Sequence, residues 1–257
     1  MILDTHAHYD DEAFDADREE LLESLQPNGI EKVVNVCASI DGLQNTVALM
    51  EKYPFVYGAV GVHPDDPDKM TQETLDEIRR LSHLDKMVAI GEIGLDYYWH
   101  KEKEEHEIQQ KMFRAQLDIA REEKMPFMIH SRDAAEDTLN IIREYMKGGM
   151  YGGIIHCFSY SKEIAAEYLK MGLYLGIGGV VTFENAKKLK EVVKYAPLSQ
   201  IVLETDSPYL APKPNRGKRN SSLNLPYVVR MIAELKEVTE EEVISVTREN
   251  ARTLLGI

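Results

Sequence analysis

A chain of 257 residues with 44% hydrophobic and 29% charged side chains can bury a large core without disulfide staples, and its two cysteines exclude a disulfide framework. The formal net charge of −14 argues against broad nucleic-acid binding, which needs a basic surface. No apolar run approaches membrane-spanning length and Met1-Ile2-Leu3-Asp4 has no leader-like pattern, so the expectation is a cytoplasmic protein without membrane association.

Short apolar runs alternate with amphipathic periodicity along the chain. Strands are predicted at Ile2–Asp4, Lys32–Ala38, Val56–Val60, Met87–Gly91, Pro126–His130, Gly153–His156, Tyr174–Gly176 and Ile201–Glu204. Helices are predicted between and after them. They span Asp17–Gln26 (ended by Pro27-Asn28-Gly29), Asp41–Lys52, Thr71–Leu84, Glu104–Glu123, Ala134–Met146, Lys162–Met171, Ala186–Tyr195, Leu225–Leu235 and Glu240–Leu255. Eight such units read as an α/β protein with a parallel sheet closed into a (β/α)8 TIM barrel, in a single domain over residues 1–257. An open doubly wound sheet is the alternative, but no glycine-rich phosphate fingerprint follows the first strand.

The polar residues at the strand ends carry the chemistry. Asp4, His6 and His8 alternate along the first strand, so all three are expected on its lumen side. His63, Glu92, His130 and His156 end strands three to six, and Glu204 and Asp206 end strand eight. Five of the eight histidines thus fall at the end where barrel enzymes assemble active sites, in place of the branched apolar residues a lumen prefers. Imidazoles and carboxylates together suit a pair of divalent cations, with Zn, Mn, Co and Ni favoured over Mg. Glu92 can bridge such a pair, and Asp206 can orient or deprotonate a water, so these two are the candidate catalytic residues.

The segments Asp4-Thr-His-Ala-His8, Gly61-Val-His-Pro64, Ala89-Ile-Gly-Glu-Ile-Gly-Leu-Asp-Tyr-Tyr98, His130-Ser-Arg-Asp-Ala134, His156-Cys-Phe-Ser159 and Glu204-Thr-Asp-Ser-Pro-Tyr-Leu-Ala-Pro212 resemble the TatD family of metal-dependent deoxyribonucleases, one of the amidohydrolase-like barrels. The resemblance spans nearly the whole chain in family order. It implies a TIM barrel, two divalent metal ions and phosphodiester hydrolysis, often exonucleolytic on DNA. It implies that His6, His8 and Asp206 hold one ion, that Glu92 bridges, and that His130 and His156 hold the other.

Other residues extend this reading. Asp4 and Glu204 are expected to support the ligands from behind. His63 and Arg132 are candidates to grip a phosphate, with an Arg132–Asp133 ion pair as the plainer alternative. From Ser207 to Ala233 there is no acidic residue, but there are Lys213, Arg216, Lys218, Arg219 and Arg230; Arg216, Lys218 and Arg219 are candidate contacts to flanking phosphates. A solvated loop of ordinary charges is the alternative. Tyr97, Tyr98 and Trp99 either stack on bases or pack a loop onto the barrel. Cys157 reads as a small core residue, like Cys37, rather than a nucleophile. The partner is then DNA or another phosphodiester, with protein partners left open. Hydrolysis of a C–N or ester bond in a small molecule, and metal-dependent nucleic-acid binding without catalysis, are the competing functions.

Overall fold

The computed structural model describes residues 1–37 and 42–257. The predicted end of the second strand at Ala38 and the predicted start of the second helix at Asp41 lie outside the described residues.

Eight strands run in chain order: β1 (Ile2–Ala7), β2 (Ile30–Cys37), β3 (Val56–Val60), β4 (Met87–Asp96), β5 (Phe127–Arg132), β6 (Gly153–Ile155), β7 (Tyr174–Ile177) and β8 (Ile201–Leu203). Each pairs in parallel with its sequence neighbour in one eight-stranded sheet. Parallel neighbours need a crossover. The helices supply them: α1 (Arg18–Leu25), α2 (Leu43–Lys52), α3 (Gln72–Ser82), α4 (Lys103–Glu122), α5 (Ala135–Lys147), α6 (Lys162–Lys170) and α7 (Lys187–Tyr195). Two more, α8 (Leu225–Lys236) and α9 (Glu240–Leu255), follow β8.

The sheet comes back on itself at β1. The segment just past β8 makes the contacts: Asp206 N–H donates to the His6 carbonyl at 2.9 Å, and His8 N–H donates to the Ser207 carbonyl at 2.8 Å. Ala7 and Ser207 form a parallel bridge there. The residues that close the barrel are therefore those flanking three candidate ligands.

Apolar burial divides into two bodies. The larger lies between sheet and helices and includes Phe113, Phe127, Ile129, Leu175, Val192 and Ile232. A smaller cluster gathers Leu3, Val34, Val36, Ala59, Val88, Met128, Ile154 and Val202 from seven strands, joined by Ala251, Leu254 and Leu255 of α9. This is the filled interior expected of a small barrel, stopped by the end of the last helix.

β1 and β4 run furthest past their predicted ends, while β5 and β7 run on by two residues and one. β1 continues through Thr5, His6 and Ala7, and β4 continues through Glu92 to Asp96. Their polar residues hid the extension, since the apolar run stops before the strand does. Simple alternation also fails in β1, because register shifts interrupt its pairing with β2 between Asp4 and Ala7. A similar shift interrupts β4–β5 pairing between Ile90 and Ile93, where Glu92 sits.

Candidate metal centre

Glu92 is the hub of the site. Its side chain lies within 4 Å of five imidazoles: His6 at 3.3 Å, His8 at 3.8 Å, His63 at 3.8 Å, His130 at 2.9 Å and His156 at 3.8 Å. Asp206 closes the other side, 3.4 Å from His8 Nε2, 3.5 Å from His156 Nε2 and 4.0 Å from His6 Nε2. His6, Glu92 and His156 are buried, while His8, His63, His130 and Asp206 are partly exposed. His6, Glu92 and His130 lie within β1, β4 and β5, and His8, His63, His156 and Asp206 follow the ends of β1, β3, β6 and β8, so one mouth of the barrel collects them.

The donor set fits cations. Ligands held tetrahedrally at ~2.0–2.1 Å from an ion sit about 3.3 Å apart. His6 Nε2 and His8 Nε2 are 3.2 Å apart, and His6 Nε2 is 3.3 Å from Glu92 Oε2. His8 Nδ1 donates to the Val36 carbonyl at 2.7 Å. A carbonyl can only accept, so the Nε2 facing the site is left with its lone pair in the neutral ring. Behind His156, the Glu204 carboxylate lies 3.1 Å from Nδ1, the carboxylate–imidazole arrangement that orients metal-binding histidines.

The donors sort into groups: His6, His8 and Glu92; His6, His156 and Asp206; and His63, Glu92 and His130. The resemblance pairs His130 with His156 on one ion, and the structure groups them apart. The His156 ring stacks on His6 with centroids 3.5 Å apart. His130 instead leans on the other wall, with Nδ1 2.9 Å from Glu92 and Nε2 3.0 Å from Asp96.

Charge in the site is tightly balanced. Burial opposes the charged form of His8, His130 and His156, but the surrounding carboxylates prevail and raise them to about 9, 10 and 9. Burial and the neighbouring His156 lower His6 to about 4. Burial alone would raise Glu92, but the imidazoles around it hold its carboxyl well below the usual range. So dense a field of carboxylate charge stabilises cations, whether protons or metal ions.

Supporting residues lock the frame. Asp4 does not join the cluster. Its carboxylate accepts from Ser222 Oγ at 2.6 Å, Thr205 Oγ1 at 2.7 Å and Thr205 N–H at 3.0 Å, tying β1 to the chain after β8. Burial raises the Asp4 carboxyl to about 7 despite these donors. Glu204 also accepts from the Cys157 N–H at 2.6 Å. A Cβ on Gly176 would lie 2.1 Å from Glu204 Oε2, so only glycine leaves that carboxylate its place. Gly94, at φ 146°, similarly lets β4 pass the His130 carbonyl. From outside, Gln116 of α4 makes paired bonds to Val62 N–H (2.7 Å) and carbonyl (3.0 Å), beside His63. Gln109 grips Asp96 in the same way at 2.9 and 3.1 Å.

A cavity of about 760 Å3 opens above the cluster, lined among others by His63, Arg132, Cys157, Ser159 and Tyr209. Arg132 makes no pair with Asp133 there; its guanidinium carbon lies 3.8 Å over the Tyr98 ring. The basic loop is differently placed. Arg219 donates to Asp17 and to the Ala13 carbonyl, Arg216 lies 4.3 Å over Phe183, and Lys213 pairs with Glu184. Lys218 is exposed, and none of these residues lines the cavity. Cys157 lines the cavity rather than the core, and burial with nearby carboxylates pushes its thiol up, which disfavours a nucleophilic thiolate. Lys86 donates to the Tyr53 carbonyl at 2.6 Å, at the start of β4, away from the cluster.

Asp10, Asp11, Asp65 and Asp96 are site residues that sequence reasoning missed. Asp96 carried a signal, four residues beyond Glu92 in one quoted motif. The others sit in loops, where no periodicity marks them.

An eight-stranded parallel barrel with imidazoles and carboxylates converging at one mouth defines a metal-dependent hydrolase. The family model of the TatD related DNases matches residues 3–256, and the chain belongs to that family. It is 46% identical to an uncharacterized metal-dependent hydrolase, YabD of Bacillus subtilis, across 100% of both chains. It is 31% identical to the 3′-5′ ssDNA/RNA exonuclease TatD of Salmonella typhimurium, over 95% of each. The crystal structure of YjjV, a TatD homolog from Escherichia coli, superposes with a TM-score of 0.92 at 27% identity, covering 100% of this chain and 98% of that one. Among the described residues, no helix is long and apolar enough to cross a membrane.

Proposed function

We propose that this hydrolase cleaves phosphodiester bonds at the ends of single-stranded DNA or RNA, using two divalent ions that share Glu92. The carrying observation is Glu92 itself, one buried carboxylate within 4 Å of five imidazoles. His6, His8, His156 and Asp206 would hold one ion, and His130, backed by Asp96, would face the other with His63 beside it. Ions so held supply Lewis-acid polarisation of the phosphate and a nucleophilic water near neutral pH. Asp206, partly exposed at the mouth, would orient the attacking water and take its proton. His63 and Arg132 face the same cavity and can donate to phosphate oxygens. The name of the Salmonella relative supports the choice of polynucleotide. The reading places the protein in the cytoplasm, where its substrates and a reducing environment are found.

Cleavage of end-labelled single-stranded DNA and RNA, run with Zn, Mn, Co, Ni and Mg in turn, tests this. Glu92→Ala is expected to abolish cleavage and to lower bound metal, with circular dichroism unchanged. Wild-type cleavage by the metal-stripped Glu92→Ala protein would overturn the proposal. Turnover of cyclic amides or lactones in place of nucleic acid would move the function to C–N or ester bonds.

A further inference from the structure

The three adjacent aromatic residues after β4 part ways. Tyr97 packs: its ring stacks on His106 with centroids 3.5 Å apart, and its hydroxyl donates to Asp137 at 2.8 Å. Tyr98 and Trp99 stay 42% and 65% exposed and meet only edge to face, with centroids 4.6 Å apart and ring planes at 86°. An indole held in water forfeits the burial that usually justifies it. The turn that presents them is nonetheless fixed. Asp96 Oδ1 accepts the N–H groups of Tyr98 at 2.9 Å and Trp99 at 3.3 Å, while its Oδ2 sits 3.0 Å from His130 Nε2. One carboxylate thus ties the exposed rings to the metal centre.

Arg132 completes the surface. It lines the cavity, and its guanidinium lies 3.8 Å from the Tyr98 centroid and 5.6 Å from that of Trp99. Tyr209 also lines the cavity and is 54% exposed, anchored by its hydroxyl to Asp11 at 2.9 Å. A cation laid against aromatic rings beside a metal-binding cluster suits a ligand that alternates anionic groups with flat apolar ones.

We infer that Trp99, braced edge to face by Tyr98, which Arg132 backs in turn, forms a stacking platform for an unpaired nucleobase of the strand whose phosphate lies over the metal centre. The inference rests on the proposed phosphodiesterase reading and deepens it to substrate choice. Arg132 binds the phosphate on one side and braces Tyr98 on the other. A base still paired in a duplex has both faces covered and cannot lie on the platform, so single strands are selected. Sugar identity plays no part, because stacking engages the base.

The test compares KM and kcat of the metal-loaded protein on three single-stranded oligomers of equal length: oligothymidylate, oligouridylate and an abasic deoxyribose-phosphate. Wild type is expected to show KM about tenfold higher for the abasic strand than for either base-bearing strand. In Trp99→Ala that ratio should fall toward one, with the change carried by KM and not kcat. Tyr195→Ala, which removes a half-exposed ring on α7, should leave the ratio as in wild type. Trp99 is the one tryptophan in the chain, so its emission reports directly. It should quench on rapid mixing with oligothymidylate and not with the abasic strand.

Equal KM for abasic and base-bearing strands in wild type, or no quench by oligothymidylate, overturns the platform and leaves phosphodiester hydrolysis standing. Cleavage of none of the three overturns the proposed function instead, and the emission measurement then still decides whether bases bind at Trp99. Thymine also carries a 5-methyl group that uracil lacks, so a difference from oligouridylate as large as the abasic effect, repeated with oligodeoxyuridylate in place of oligothymidylate, would assign recognition to the sugar and also overturn the platform.

Discussion

At the scale of single residues, the buried carboxylates divide between chemistry and framework. Glu204 has no place among the principal ligands, yet its carboxylate lies 3.1 Å from His156 Nδ1 and accepts from the Cys157 N–H at the same time. Removing such a partner commonly costs about 10–100-fold in metal affinity. Glu204→Ala is expected to fall in that range when titrated against a competing chelator, while Glu92→Ala should lose more. Asp4 has the opposite emphasis. Its replacement by Ala leaves the buried hydroxyls of Thr205 and Ser222 without their acceptor. A buried polar group left unpaired costs about 1–3 kcal/mol, so Asp4→Ala should destabilise by roughly 3 kcal/mol in urea unfolding. An unfolding midpoint equal to wild type would show that water replaces the carboxylate there.

At the scale of elements, α4 does more than cover the barrel. Its buried face carries two glutamines that complete the backbone bonding of β4's end and of the residues just past β3. Gln116→Leu keeps the volume but leaves Val62 N–H and carbonyl unsatisfied, at a cost of about 2 kcal/mol. Because Val62 precedes His63, the same variant should also raise KM for nucleic acid. Unchanged stability and KM would remove α4 from the site's support. These glutamines also show what sequence reading cannot reach. A helix face with polar residues at buried positions looks like an imperfect amphipathic stripe until its partner strand is known. The strands themselves were readable from apolar runs, and the histidines from falling at the ends of those runs. The reach of β1 and β4 was not, because His6 in one and Glu92 in the other interrupt the apolar run and are buried through the cluster they build. The tie from Arg219 to Asp17 joins residues distant in sequence, so that one member of the basic run anchors its loop beside the start of α1 could not be read from the run itself.

At the scale of the whole molecule, net charge and function meet at the mouth. The chain carries −14, and Asp10, Asp11 and Asp65 line the cavity beside Glu92 and Asp206. A polyanion approaching such a mouth is repelled unless cations are already in place. Binding of oligothymidylate is therefore expected to disappear with chelator and to return with divalent metal, as measured by anisotropy of a labelled strand. Undiminished binding in excess chelator would require a basic surface elsewhere. The same ions should brace the fold. Binding at about 100 times Kd adds about 2.7 kcal/mol. For a chain of this size that is a rise of about 5–10 °C in Tm. A Tm indifferent to metal would mean the donors are not converging on an ion.

The barrel's closing seam has a consequence of its own. The Asp206 amide bonds to His6, and the His8 amide bonds to Ser207, so each hydrogen bond across the seam begins or ends at a residue of the donor cluster or its immediate neighbour. Opening the seam would pull His6 and His8 away from Asp206. Deuterium uptake at the amides of residues 6–8 and 205–207 should slow sharply on loading, while uptake at the far ends of the same strands barely changes, so isotope labelling would read occupancy with no substrate present.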